Sequence, residues 1–178
     1  MKTFQQFVTE MPQINSYVSK ARVGRMAEYT KKDIKNSSSK ETNHGSFYHK
    51  IIDGENGDTD AYYKKDSEGQ PTSFSLVHDH VHVLTHKGSG SAKDIHQYML
   101  HHAKQHGSLS SDKSNTEGSK NLWKTLVKSN PKDYRFHYND SSGNKVNVHK
   151  DNIDDHSDKI WGTSLDHSKV KLVMTHDK

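Results

Sequence analysis

Residues 72 to 106 carry two periodicities with a glycine break between them, the strongest constraint on the fold of this chain. From Phe74 to Lys87 the residues alternate. Leu76, His78, His80, His82, Leu84 and His86 fall on one face, and Val77, Asp79, Val81, Val83 and Thr85 on the other. Period two with many β-branched side chains predicts one central strand. Lys87-Gly88-Ser89-Gly90-Ser91-Ala92 follows, and Ala92, Ile95, Met99, Leu100 and Ala103 then recur at helical spacing as far as Gly107. Strand, glycine-rich turn and helix must therefore follow one another. Such a turn suits anion capture: small residues admit a ligand close to backbone, and the first N–H groups and the dipole of the helix point at it. The same glycines also occur at strand-to-helix corners for steric reasons alone.

Around this unit the chain divides into three parts. Residues 1–10, MKTFQQFVTE, form a short amphipathic peptide without the apolar core of a secretory signal. Residues 11–45 predict a helix capped by Ser16, with Tyr17, Ala21, Met26 and Tyr29 along it to about Lys35, and then a polar loop. Residues 46–178 predict a single α/β (α+β) domain with a mostly antiparallel central sheet and flanking helices. Its expected strands are Phe47–Asp53, Asp60–Lys65, the central strand, Ser108–Ser111, the Tyr134–Tyr138 and Lys145–His149 hairpin, and Val170–Thr175. A helix is expected over Thr116–Lys128, with Leu122, Trp123, Leu126 and Val127 on its apolar side, and Asp151–Asp158 reads as an acidic loop.

Composition removes several function classes. The chain lacks cysteine, so disulfides and thiol catalysis are out, and this fits a reducing compartment. No apolar run approaches the roughly 18 residues of a membrane helix. The net charge of +4 is spread along the sequence. Only Arg22, Arg25 and Arg135 are arginines, so bidentate recognition of phosphate or bases is not the design, and no specific nucleic-acid partner is expected. The acidic loop around Asp53, Glu55, Asp58 and Asp60 lacks the order of a calcium loop and reads as a hairpin connection. His78, His80 and His82 at alternate positions suggest zinc. Residues two apart on a strand stand roughly 6.6–6.8 Å apart, however, so two imidazoles converge and a third needs strain. No metal is expected, and the plain reading is the solvent face of a half-buried strand.

Two resemblances sharpen this picture. Met1, Lys2, Thr3, Phe4, Phe7, Val8 and Glu10 resemble the capsid-targeting peptide of internal head proteins of T-even-type tailed phages, which is cut after the Glu by the prohead protease. That implies cleavage at Glu10, contact with the capsid interior and the protease, and location in the virion and then the host cytoplasm; without it a cytoplasmic protein is expected. Residues 46 to 130 resemble the GNAT acetyltransferase family in element order. Lys87-Gly88-Ser89-Gly90-Ser91-Ala92 is similar to the family's [RQ]-x-x-G-x-[GA] turn, with Lys in first place. Thr116, Ser119, Leu122 and Trp123 stand at the places of its N-x-x-A-x-x-L-Y pattern.

The GNAT resemblance implies acetyl-CoA as cofactor, bound by Lys87, Gly88, Ser89, Gly90, Ser91 and Ala92 and by Thr116. Backbone N–H groups about Val81 and Val83 would polarise the thioester. It implies a base for the amine on this strand, for which Asp79, His80 and His82 are the candidates, and since Trp123 replaces the family's general-acid Tyr and cannot deliver a proton, Ser110, Ser111 or a water would have to serve as the acid. Two functions follow. One is acetyl transfer to an amine of a protein or small molecule. The other is an inactive GNAT-fold head protein, injected with DNA, that binds and inhibits a host factor.

Overall fold

The computed structural model describes residues 20–54, 57–112, 117–162 and 170–177. Helix α1 spans Lys20–Asn36. Strands β1 (Thr42–Asn43), β2 (Tyr48–Ile52), β3 (Thr59–Lys65), β4 (Pro71–His78) and β5 (Val81–His86) follow. Next come helix α2 (Ala92–His106), β6 (Ser108–Ser111), α3 (Glu117–Lys128), β7 (Tyr134–Asn139), β8 (Lys145–Val148), α4 (Ile153–Trp161) and β9 (Val173–His176). The nine strands lie in the order β1-β2-β3-β4-β5-β6-β9-β7-β8. Pairing is mostly antiparallel, with β5 and β6 parallel through Val81↔Ser110 and His82↔Ser111. The protein is thus mixed α/β with a mostly antiparallel sheet. The predicted peptide 1–10, Ser16 and Thr116 lie outside the described residues.

The alternation from Phe74 to Lys87 is two strands rather than one. Asp79 and His80 turn the chain with φ of 48° and 59°. Two left-handed residues in succession make the tight hairpin turn whose twist matches that of its strands. Asp-Gly or Asn-Gly is the usual pair there, and Asp-His carries no such signal, although Asp and His both tolerate this region better than most side chains. Across a two-residue turn the flanking His78 and Val81 face each other, so the alternation resumes one step out of phase. His78, His80 and His82 therefore do not share a face.

Residues Asp151–Asp158, expected as a loop, lie largely in α4. Ile153, Ile160 and Trp161, at spacings of seven and eight, are all buried on one side of a helix. Asp154 and Asp155 occupy its first turn, where the dipole favours negative charge. Lys128 and Lys124 of α3 reach Asp154 at 2.6 and 3.4 Å. The polar residues that read as a loop are the solvated side of that helix.

Two compact units divide the described residues. The first holds the residues up to Asp79 together with Val83–Tyr98, and the second holds His80–His82 with the residues from Met99 onward. In the first, Met26, Ala27 and Ile34 of α1 pack with Ile52, Ala61, Tyr63, Phe74 and Leu76 on one side of the sheet. On the other side Phe47 meets Tyr98 and Tyr62 edge-on, with ring centroids 5.2 and 6.1 Å apart. Both faces of β3 and β4 are covered, which explains the unbroken buried runs Ala61–Tyr63 and Ser73–Val77. In the second unit β9 lies between β6 and β7. Met174 sits in register with Leu109 on one side and Phe136 on the other, and all three are buried. Trp123, Leu126 and Val127 of α3 and the apolar face of α4 are buried in the same unit.

Candidate functional site

The glycine turn is held first by packing. At Gly88, with φ of 53°, a Cβ would lie 1.8 Å from the carbonyl oxygen of Thr72, and at Gly90 it would lie 2.7 Å from Cβ of Ser73. Both glycines are required by the close passage of β4, whatever binds at the turn. The start of α2 is a reciprocal cap. The Ser91 amide donates to Asp94 Oδ2 at 2.7 Å, and the Asp94 amide donates to Ser91 Oγ at 3.2 Å. Lys64 Nζ donates to the other oxygen, Oδ1, at 2.6 Å. The Lys64 ammonium, and after it the Ser91 amide, hold the Asp94 carboxyl below the usual carboxylate range. The chain's own carboxylate therefore takes the Ser91 amide, which leaves Gly88 and Ser89 as the residues of the turn that line a cavity.

Those two residues line a cavity of about 580 Å³ together with Lys31, Lys32 and Lys35 of α1. Glu28 also lines it and pairs with Lys31 at 2.8 Å. Lys32 and Lys35 are exposed. His86 forms part of the wall; burial, and then the nearby Lys31, lower its pKa and favour the neutral imidazole. With Asp66 also on the wall, the lining sets three ammonium groups against two carboxylates, a modest positive excess beside the backbone turn that suits an oxyanion such as phosphate, which lysines bind as point charges.

Of the expected catalytic residues, Asp79 and His80 form the turn after β4, His82 lies on β5 and Ser110 on β6. Asp79 is exposed at the turn, its carboxylate 3.5 Å from His78 Nε2. The carbonyl of His80 accepts from the Ser110 amide at 2.8 Å and from Ser110 Oγ at 3.4 Å. Ser110 thus holds the backbone of His80, while the imidazole of His80 faces His102, with Nδ1 3.2 Å from Nε2. His82 is not on a solvent face. It is buried, with its ring edge-on to Trp123 at 6.2 Å, and burial pushes its pKa down to about 4. A neutral imidazole can accept a proton, but one so depressed is a weak base at neutral pH. Val81 and Val83 lie along β5, half-buried.

Five residues of these sites had no place in the sequence expectation: Lys31, Lys32, Lys35, His102 and His106. The lysines lie on the polar side of α1, which looks like any solvated helix face. His102 and His106 are four apart on α2 and so share a face, a spacing legible in the sequence but hidden among fifteen histidines. No protein-family model, curated protein or solved structure matches this chain. No helix among the described residues is long and apolar enough to cross a membrane.

Proposed function

We propose that this chain is a GNAT-like protein that binds an acyl-CoA, with acetyl transfer to an amine of a protein or small molecule as its activity, in a phage context. The observation that carries the reading is the lysine-lined cavity at Gly88 and Ser89, since it puts positive charge where the sequence resemblance implies pyrophosphate. Element order supports it: a strand meander, glycine turn, helix, short strand, helix and further strands. The parallel β5–β6 pair, joined through α2, is a strand–helix–strand unit, and such units bind phosphates at the strand-to-helix turn.

In the transfer itself the amine nitrogen attacks the thioester carbonyl, the carbon–sulfur bond breaks, and the amine proton passes to a base, for which Asp79, His80 and His82 stand near one another in sequence. Trp123 has no acidic proton for the departing thiolate, which leaves Ser110 or water.

Titration of acetyl-CoA into the full chain at low salt should give saturable heat. Lys31→Ala/Lys35→Ala should weaken binding at least about tenfold, or roughly 1.4 kcal/mol, while Lys145→Ala on β8 should not. Glycine variants are unsuitable probes, because a side chain at Gly88 or Gly90 collides with β4. No heat from wild type at millimolar ligand would leave the turn as a structural corner only.

The burial of Trp123, with an indole N–H that meets no partner among the described residues, favours a second reading. In it the GNAT-like body is inactive, packaged in the phage head and directed at a host factor. Intact mass of the protein from purified virions should then reveal a species beginning at Met11. Its absence from virions would remove packaging, and a species retaining Met1 alone would remove the processing at Glu10.

A further inference from the structure

We infer that His80, His102 and His106 form a binding site for a divalent metal ion of the zinc class. One ring nitrogen from each of the three lies within 4.8 Å of the others. His80 Nδ1 and His102 Nε2 are 3.2 Å apart. Two nitrogens bound tetrahedrally at 2.0–2.1 Å from zinc stand about 3.3 Å apart, so this pair is already spaced as ligands. The rings of His102 and His106 stack with centroids 4.3 Å apart, and His80 lies 5.3 Å from His106. Rotation of the exposed His106 ring out of that stack would bring its nitrogen to the other two.

The supports are asymmetric in a way that suits a metal. His102 and His106 come from consecutive turns of one helix, which fixes their separation, and His102 is fully buried. His80 comes from the hairpin turn and holds a left-handed φ of 59°. The two-residue hairpin turn calls for that conformation. Here Ser110 pins the His80 carbonyl from β6.

The donor set decides the ion class. Three imidazoles, with no carboxylate in the group among the described residues, favour zinc, copper(II), nickel or cobalt over magnesium or calcium. His80 and His106 are exposed, so a fourth position opens to solvent and would carry water. That arrangement is the open form of a three-histidine centre rather than a closed structural one. The site does not depend on acyl-CoA binding, and either can fail alone.

The test uses the untagged full chain, with Zn²⁺ titrated by calorimetry and Co²⁺ by visible absorption. Wild type should bind one ion per chain at this site and develop the ligand-field bands of tetrahedral cobalt. His106→Ala, at an exposed helix end, and His80→Asn, which keeps a residue tolerant of the left-handed turn, should each weaken binding at least about tenfold with an unchanged far-ultraviolet spectrum. His149→Ala, exposed beyond β8, should change nothing. Wild type lacking the cobalt bands, or affinity indifferent to both His106→Ala and His80→Asn, would overturn the proposal.

Discussion

Trp123→Ala should lower the free energy of unfolding by about 3–5 kcal/mol, the range for emptying a large aromatic site in a packed core. The side chain is fully buried on α3, one turn from Leu126 and Val127, and edge-on to His82. Total stabilities of domains this size are on the order of 5–15 kcal/mol, so the variant would lose roughly a fifth or more of the margin. Urea unfolding followed by far-ultraviolet circular dichroism measures it without relying on the fluorophore removed. Trp123→Phe should cost less, since an aromatic ring still fills most of the site and the buried indole N–H goes with the change. A loss below about 1 kcal/mol for Trp123→Ala would mean that the core around α3 is not packed as described.

The second large effect is acid sensitivity through His82. Its folded pKa of about 4 lies below the ordinary 6.5 because burial disfavours the charged ring. Above pH 6.5 the imidazole is neutral in both states, and it adds no pH dependence. As pH falls from 6.5 towards 4, the unfolded chain takes up a proton that the folded chain refuses. Stability is therefore lost across that window, by about 3 kcal/mol from 1.36 kcal/mol per pH unit. Below pH 4 both states are protonated, and the loss stops growing. His44, His86 and His137 are also lowered, mainly by burial, and add losses of the same sign. The decisive quantity is therefore a difference. The drop in unfolding free energy between pH 7 and pH 4 should be about 3 kcal/mol smaller in His82→Gln than in wild type. Equal drops in the two proteins would show that His82 charges without resistance and is not buried in solution.

Both effects depend on one residue pair that the sequence presents ambiguously. Trp123 stands among apolar residues at helical spacing, so its burial on α3 was legible. His82 was not, because on a continuous strand from Phe74 to Lys87 it shares a face with His78, His80 and His86, and that face reads as solvated. The Asp79-His80 turn shifts the phase by one position. Neither residue is Gly, Asn or Pro, so period counting passes through the turn without registering it.

The sequence by itself determined the secondary elements that rest on a clear period. The apolar spacing of α2 and α3, the β2, β3 and β6 strands, the β7–β8 hairpin and the glycine corner before α2 all follow from local patterns of burial. These signals are local because a helix or strand with one apolar face repeats every 3.6 or 2 residues whatever it packs against. The same locality hid α4, whose three apolar anchors are spread through an acidic stretch. Tertiary structure alone decided that β9 lies between β6 and β7, that Lys31, Lys32 and Lys35 share a cavity with Gly88 and Ser89, and that His80 meets His102 and His106. His80 and His102 are separated by 22 residues, and their meeting depends on the turn conformation of one and the helix face of the other. No periodicity along the chain encodes such a coincidence, because it arises from the packing of separate elements and not from the preference of any one of them.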